Sequence, residues 1–396
     1  RHQYLELYQS IVLLLCHSSS RVGHRKTNFF PCHAKFVPLA RSNALKCARN
    51  GLKTVKEANM KIGIEAVASF MPEGIVTLDD YDYLAPVLPP DAAEANPKEV
   101  RRLKDVDAVE QLAVGAARLV MEKAKLKPED IDLIIAEQCG GRYVGPMVGT
   151  HVHEQLGIPE AVPVFNIQNC CSSMIEGLYL AWKLIQSGAH KRALVFVASA
   201  WDADGGWGVD RTSPIAPSMG DGAGAMIVST ENLKGEFLSY GTRTYGELYD
   251  KMVTEFAPSE RPELEPAGRP PREANFRVEP SMFAWFQDRG DDLISDSMRD
   301  ALTNAGLDFP DIDFIFPHQC FRAAMDAWAG TLEKLGVSRD KWVESFDRFG
   351  NIGAVDVVPN LDEMDRDGKM PEGSILAFFV PGGGGHTPTM IMKWLG

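Results

Sequence analysis

The sequence predicts an α/β protein built of two duplicated halves, each a mixed sheet with helices on both faces. Short β-branched apolar runs alternate with amphipathic stretches from Met60 onward. The strands read as continuous apolar runs, as strands covered on both faces do. One pattern occurs twice: KPEDI before Asp132–Ala136 (DLIIA) and FPDI before Asp313–Phe316 (DFIF), about 180 residues apart.

Taken in order, MKIGIEAVASFMPEG from Met60 opens the first half. Asp107–Lys125 is an amphipathic helix with Val109, Leu112, Ala116, Leu119 and Val120 on one face. DLIIA is a buried strand. The loop Glu137–Pro146 leads to a helix ending near Leu156. Val162–Ile167 reads as a second buried strand, and Met174–Ala189 as a helix closed by Ser187-Gly188. Ala193–Ala198 and Met226–Ser229 are further strands, the latter preceded by GDGAGA (Gly220–Ala225). In the second half, Ser281–Ala305 and Arg322–Leu335 read as helices, with DFIF between them. Ile352–Leu361 follows as a helix and Ser374–Val380 as a strand. Residues 256–280 hold six prolines and many charges, and read as an inserted surface loop. The organisation expected is therefore an extension over 1–59, one half over 60–232 and a second over 233–396.

Composition narrows the function. The 396 residues carry a net charge of −13, divided unevenly. Residues 1–59 hold ten Lys/Arg against two Asp/Glu; the remainder holds 31 against 52. So acidic a body is a poor nucleic-acid binder. No apolar run approaches the roughly 18 residues of a membrane helix. Seven cysteines without regular spacing argue against a disulfide framework and for a reducing, cytoplasmic setting. No CxxC or HExxH spacing points to a metal. Because 1–59 lack periodicity and methionine, His2, His17, His24 and His33 are not read as ligands.

Three segments place polar residues where packing favours apolar ones. Gln168-Asn169-Cys170-Cys171-Ser172-Ser173 forms a turn from strand to helix. A thiol there meets free backbone N–H groups and the positive helix end, which favour thiolate and lower its pKa. The bland alternative is a buried, inert cysteine. His318 follows a buried strand in Phe316-Pro317-His318-Gln319, and Asn351 stands in Phe349-Gly350-Asn351-Ile352-Gly353. Strand ends are where open α/β sheets gather their sites.

From Met60 to Gly396 these motifs, with YGEL at Tyr245–Leu248 and the run Gly382–Gly385, resemble the thiolase superfamily, and within it 3-oxoacyl-acyl-carrier-protein synthase III. The resemblance implies a thiolase-like fold and a homodimer. It implies Cys171 as nucleophile, with His318 and Asn351 as the pair that binds a malonyl thioester carbonyl and supports decarboxylation. Gly384 and Cys171 would supply the backbone N–H groups of an oxyanion hole. Gly145, Gln319, Arg322 and Gly383 would line the substrate path. Coenzyme A or acyl-carrier phosphopantetheine thioesters would be substrates, with no metal or redox cofactor. The reaction implied is decarboxylative condensation to a 3-ketoacyl thioester. Acyl transfer or condensation without decarboxylation, through the same acyl-cysteine, is the alternative; a silent acyl-binding subunit is another.

The chain departs from that pattern in four places. The cysteine turn is unusually polar. Gly145 stands where a bulky apolar residue often precedes the proline, which predicts a roomier pocket. No tryptophan–arginine pair matches the one that holds adenine. Arg322 lies four residues after His318 rather than five. Lys183, Lys191, Arg192, Arg211 and Arg322 are the cations available for an acidic carrier.

Overall fold

The computed structural model describes residues 60–103, 108–204, 206–270, 272 and 274–396. The expected extension over 1–59 lies outside the described residues. Nine strands form one sheet: β1 (Gly63–Phe70), β2 (Leu133–Gly140), β3 (Val164–Asn166), β4 (Ala193–Ala200), β5 (Gly222–Ser229), β6 (Gly235–Gly241), β7 (Phe314–Pro317), β8 (Ile375–Phe379) and β9 (Thr389–Trp394). Their order in space is β7-β8-β9-β6-β1-β5-β4-β2-β3.

The duplication is visible in strand direction. Outward from the middle, β1, β5, β4 and β2 pair antiparallel, antiparallel and parallel. Outward the other way, β6, β9, β8 and β7 repeat that pattern. The two series meet at a narrow antiparallel seam, Gly63 opposite Glu236 and Ile64 opposite Gly235. The expected boundary at 232/233 falls between β5 and β6.

Helices sort into layers. Helices α3 (Ser173–Gln186) and α6 (Val357–Arg366) share a core with strands of both halves, including Val195 and Met226 from one and Phe378 and Met390 from the other. On the far side of the first half, α1 (Ala108–Ala124) and α2 (Gly149–Gln155) pack on Ala66, Ile134 and Phe196. On the far side of the second, α4 (Ser281–Ala305) and α5 (Arg322–Lys334) pack on Ile315, Phe379 and Ile391. Alternation along each strand sends its odd and even side chains to different helix layers.

Four expectations change. The strand expected at Val162–Ile167 is the half-exposed edge strand β3, because it pairs only with β2. Gly222 and Gly224 of GDGAGA belong to β5 itself, where α6 packs so closely that a methyl on Gly224 would stand 2.5 Å from the Val358 side chain. The helix expected over Ile352–Leu361 splits into a 3-10 turn, Gly353–Val355, and α6. The expected loop 256–280 ends in a strand, Asn275–Val278, paired antiparallel with Met252–Glu255. That segment is pinned by charge. Asp202 is nearly buried and accepts from Arg211, Arg269 and Arg272. Burial opposes ionisation of Asp202, but the surrounding guanidiniums outweigh it and hold its carboxyl well below the usual range.

Candidate active site

The polar residues of the cysteine turn hold its backbone. Gln168 accepts the Cys170 N–H at 3.1 Å and donates to the Gln138 carbonyl at 3.1 Å. The Asn169 N–H donates to Ser173 Oγ (3.0 Å), Ser172 Oγ donates to the Asn169 carbonyl (2.8 Å), and the Asn169 amide donates to Glu176. These bonds satisfy groups at the start of α3 that a turn would otherwise leave open. Cys170 takes a left-handed φ of +50°. Cys171 follows it, 4% exposed, at the start of the central helix.

Burial reverses the expected acidity. It pushes the Cys171 thiol well above its ordinary value, with Cys170, Asp356, Glu137 and Cys320 adding to the effect. Desolvation in so closed a place favours the neutral thiol.

His318 continues the β7 ladder, its N–H donating to the Phe379 carbonyl at 2.8 Å. Its Nδ1 meets the fully buried carboxylate of Asp356. The same carboxylate accepts the N–H of Gln319 at 2.8 Å and that of Ile352 at 2.8 Å. One side chain thereby ties the histidine loop to the asparagine loop and leaves His318 Nε2 for other partners. Asn351 is fixed by its backbone, donating to the Ser218 carbonyl (2.7 Å) and accepting from the Gly220 N–H (2.8 Å). Its Oδ1 accepts the Gly353 N–H at 2.9 Å, so the amide nitrogen is the end that can serve a ligand. The Gly353–Val355 turn packs directly on the Cys170–Ser172 turn, which brings the cysteine and asparagine segments together.

Of the glycine run, Gly382 and Gly383 back onto the cysteine turn. A methyl on Gly382 would lie 2.5 Å from the Asn169 carbonyl oxygen, and one on Gly383 would lie 3.1 Å from Cys170 Sγ. Gly384, the glycine expected there, faces only the His386 ring, at 3.7 Å. Two more expectations shift. The Gln319 amide is buried and occupied, donating to the Pro317 carbonyl and accepting the N–H groups of Ser345 and Phe346, so it holds a loop rather than a ligand. Arg322 is engaged by the Glu94 carbonyl (2.9 Å), by Asp347 and by the Phe346 ring. Arg211 is fully buried on Asp202 and Asp204. Gly145 has open space where a side chain would be.

A cavity of about 360 Å³ opens beside the thiols, lined by Cys139, Met147, Cys170, Cys171, Trp201, Trp207, Met252, Phe276 and Gly383 among others. Val144, beside Gly145, stands exposed at its rim. A second apolar cavity of about 380 Å³, including Met282, Phe286, Phe321 and Trp328, shares Met252 with the first.

Two acidic residues escaped the sequence reading. Asp356 sits in the apolar run Ala354-Val355-Asp356-Val357-Val358, and that break in the run was the available signal. Glu137 interrupts β2 in the same way. It is fully buried, accepts the Cys139 thiol at 2.8 Å, and burial pushes its carboxyl up to about 8 despite that bond. Among the described residues, no group of three or more His, Cys, Asp or Glu is placed to hold a metal. No helix among them is long and apolar enough to cross a membrane.

The chain matches the thiolase N-terminal domain over residues 97–198. It matches 3-oxoacyl-[acyl-carrier-protein (ACP)] synthase III over 165–246 and the C-terminal domain of that synthase over 302–394. A beta-ketoacyl-[acyl-carrier-protein] synthase III of Erythrobacter litoralis is 31% identical over 276 residues, covering 69% of this chain and 80% of the relative. One from Desulfitobacterium hafniense is 26% identical over 85% of this chain and 98% of its own. Among solved structures, the synthase III of Aquifex aeolicus superposes with a TM-score of 0.67 at 22% identity, over 84% of this chain and 100% of that one. Xanthomonas campestris OleA superposes with a TM-score of 0.70 at 19% identity, over 84% of this chain and 98% of that one. The fold is that of the thiolases. Within that class, the chain belongs to the 3-oxoacyl-[acyl-carrier-protein] synthase III family.

Proposed function

We propose that this protein is a condensing enzyme that loads an acyl group on Cys171 and joins it to a malonyl thioester by decarboxylative Claisen condensation. The observation that carries this is the buried meeting of the cysteine turn with the Asp356-tied loops of His318 and Asn351. Cys171 attacks the acyl thioester; its sulfur–carbon bond forms as the carrier's breaks, and the thiol proton leaves with the carrier sulfur. The malonyl thioester then loses CO₂. The enolate oxygen takes hydrogen bonds from His318 Nε2 and the Asn351 amide, donors each worth roughly a hundred- to a thousandfold. The enolate carbon attacks the acyl-cysteine, whose carbon–sulfur bond breaks; the 3-ketoacyl thioester forms and Cys171 leaves as a thiolate that regains its proton from water. Gly383 supports the reading as the glycine N–H of the oxyanion hole, beside that of Cys171. The chemistry needs no metal and suits a cytoplasmic enzyme taking coenzyme A or acyl-carrier thioesters. A homodimer accords with the edge strand β3 and with Phe165 and Leu180, apolar and exposed at 49% and 40%.

A second reading is favoured by the two apolar cavities that share Met252. It is the joining of two acyl chains without loss of CO₂. OleA of Xanthomonas campestris, of this fold, has been solved with lauric acid and lauroyl-CoA. Both readings are tested by acyl-coenzyme A loading followed by malonyl-coenzyme A or malonyl carrier protein. Stoichiometric CO₂ with a 3-ketoacyl product, abolished in Cys171→Ala, is expected. Product without CO₂ selects the second reading, and no acyl-enzyme with any donor rejects both.

A further inference from the structure

Two tryptophans line the cavity beside the thiols, and they differ in one respect. Trp207 donates its indole N–H to the Tyr143 carbonyl at 3.1 Å. The Trp201 indole N–H is buried and has no hydrogen-bond partner among the described residues. Trp201 is 2% exposed, and its ring meets that of Phe276 at 5.2 Å between centroids. Its backbone is clamped, the N–H donating to Asp221 at 2.7 Å and the carbonyl accepting from Val209 at 2.8 Å. A methyl on Gly353 would lie 3.2 Å from Cζ2 and 3.7 Å from Cε2 of the indole. The ring edge that carries the N–H therefore faces the turn that follows Asn351. Other polar side chains at the cavity are engaged: Gln168 uses both ends of its amide, the Cys139 thiol is on Glu137, and Glu255 pairs with Arg277. A buried donor without a partner is costly, and one held so firmly calls for an acceptor.

We propose that Trp201 is a specificity-determining residue whose indole N–H receives an oxygen borne on the acyl chain. The preferred acyl donor is then a hydroxyl- or keto-substituted thioester rather than a plain alkyl one. The inference rests on the acyl-cysteine reading above. In that reading backbone N–H groups serve the thioester oxygen, and His318 and Asn351 serve the enolate oxygen. The indole is left for an oxygen further along the chain. Indole nitrogen donates and does not accept, so an oxygen lone pair is what it takes. A hydroxyl or ketone entering an apolar cavity loses its water, and the N–H replaces one of the bonds lost. A plain alkyl chain leaves the donor unpaired, which is how a site built around a hydrogen bond rejects the analogue that lacks it.

The test is rapid-quench intact mass of loading from hexanoyl-, 3-hydroxyhexanoyl-, 3-oxohexanoyl- and 5-hydroxyhexanoyl-coenzyme A. It is run in the parent and in Trp201→Phe, which keeps an aromatic ring and removes the N–H. In the parent, the best oxygenated donor is expected to load about tenfold faster than hexanoyl, about the factor that one hydrogen bond supplies. In Trp201→Phe that ratio falls to about one, with hexanoyl loading within about threefold of the parent, as loss of a single hydrogen bond allows. A readout in the parent alone is the indole N–H spectrum: one tryptophan resonance shifts downfield on loading with the oxygenated donor and not with hexanoyl. Hexanoyl loading as fast as every oxygenated donor in the parent overturns the proposal, and so does a preference that survives in Trp201→Phe. No loading from any donor, or loading that persists in Cys171→Ala, overturns the acyl-cysteine reading itself.

Discussion

At the scale of single residues, burial decides which groups carry charge. Glu137 and Cys171 are both closed from water, and both hold their protons more tightly than free side chains do. For Glu137 the consequence for stability has a definite sign. Its folded pKa is raised, so between the ordinary 4.5 and about 8 the folded chain keeps a proton that the unfolded chain gives up. Stability from this group is complete below that window and falls as pH rises through it. Glu137→Gln is expected to flatten the decline between pH 5 and 8, read as the midpoint of urea unfolding. An unchanged slope removes Glu137 as its source. Cys171 and His318 stood out in the sequence because each follows an apolar run, and Asn351 because it stands between two glycines. Gln319 looked the same and proved to be a loop fastener, since a polar residue at a strand end has one signature whether it faces a ligand or caps a backbone. Gly384 was named for the oxyanion hole while Gly383 is the glycine that stands against Cys170, since a glycine run carries no side chain to fix its register.

Elements depend on what ties them. The His318 loop follows β7 and the Asn351 loop follows the short helix Phe346–Phe349, and Asp356 joins them through His318 Nδ1 and the N–H groups of Gln319 and Ile352. Asp356→Asn replaces an acceptor-only carboxylate with a group whose NH₂ end faces a donor. Turnover is expected to fall by about a hundredfold, the scale of losing the partner that orients a reacting histidine. Stability should fall by about 1–3 kcal/mol for the backbone donors left unpaired. Burst acylation measured beside condensation shows which half-reaction needs the tie; turnover within a few-fold of the parent refutes the role. Helices and most strands were read within a few residues because the pattern of burial is local. The exposed β3 and the strand character of GDGAGA were not, because edge position and close packing by Val358 are tertiary facts.

For the molecule as a whole, the repeated strand pattern was visible in sequence only at DLIIA and DFIF, where the repeat is still written in similar residues. The remaining strands match in direction while their side chains have diverged. The edge strand β3 leaves backbone groups unpaired on its outer side and sets Phe165 there. An edge of that kind invites pairing with a second copy. Phe165→Lys is expected to move the protein from dimer to monomer in sedimentation velocity; a parent that is already monomeric removes the basis for the pairing.

The narrow seam at Gly63 and Ile64 bears on how the enzyme comes into being. The thiol belongs to the half that leaves the ribosome first, and the histidine and asparagine to the half that leaves last. Until the later half has docked on the shared central helices, the cysteine lacks the pair proposed to stabilise the enolate and the Asp356-braced loop that carries it. A chain caught midway through synthesis therefore carries the acceptor without the means to consume malonyl groups, and the reaction is withheld until both halves have assembled.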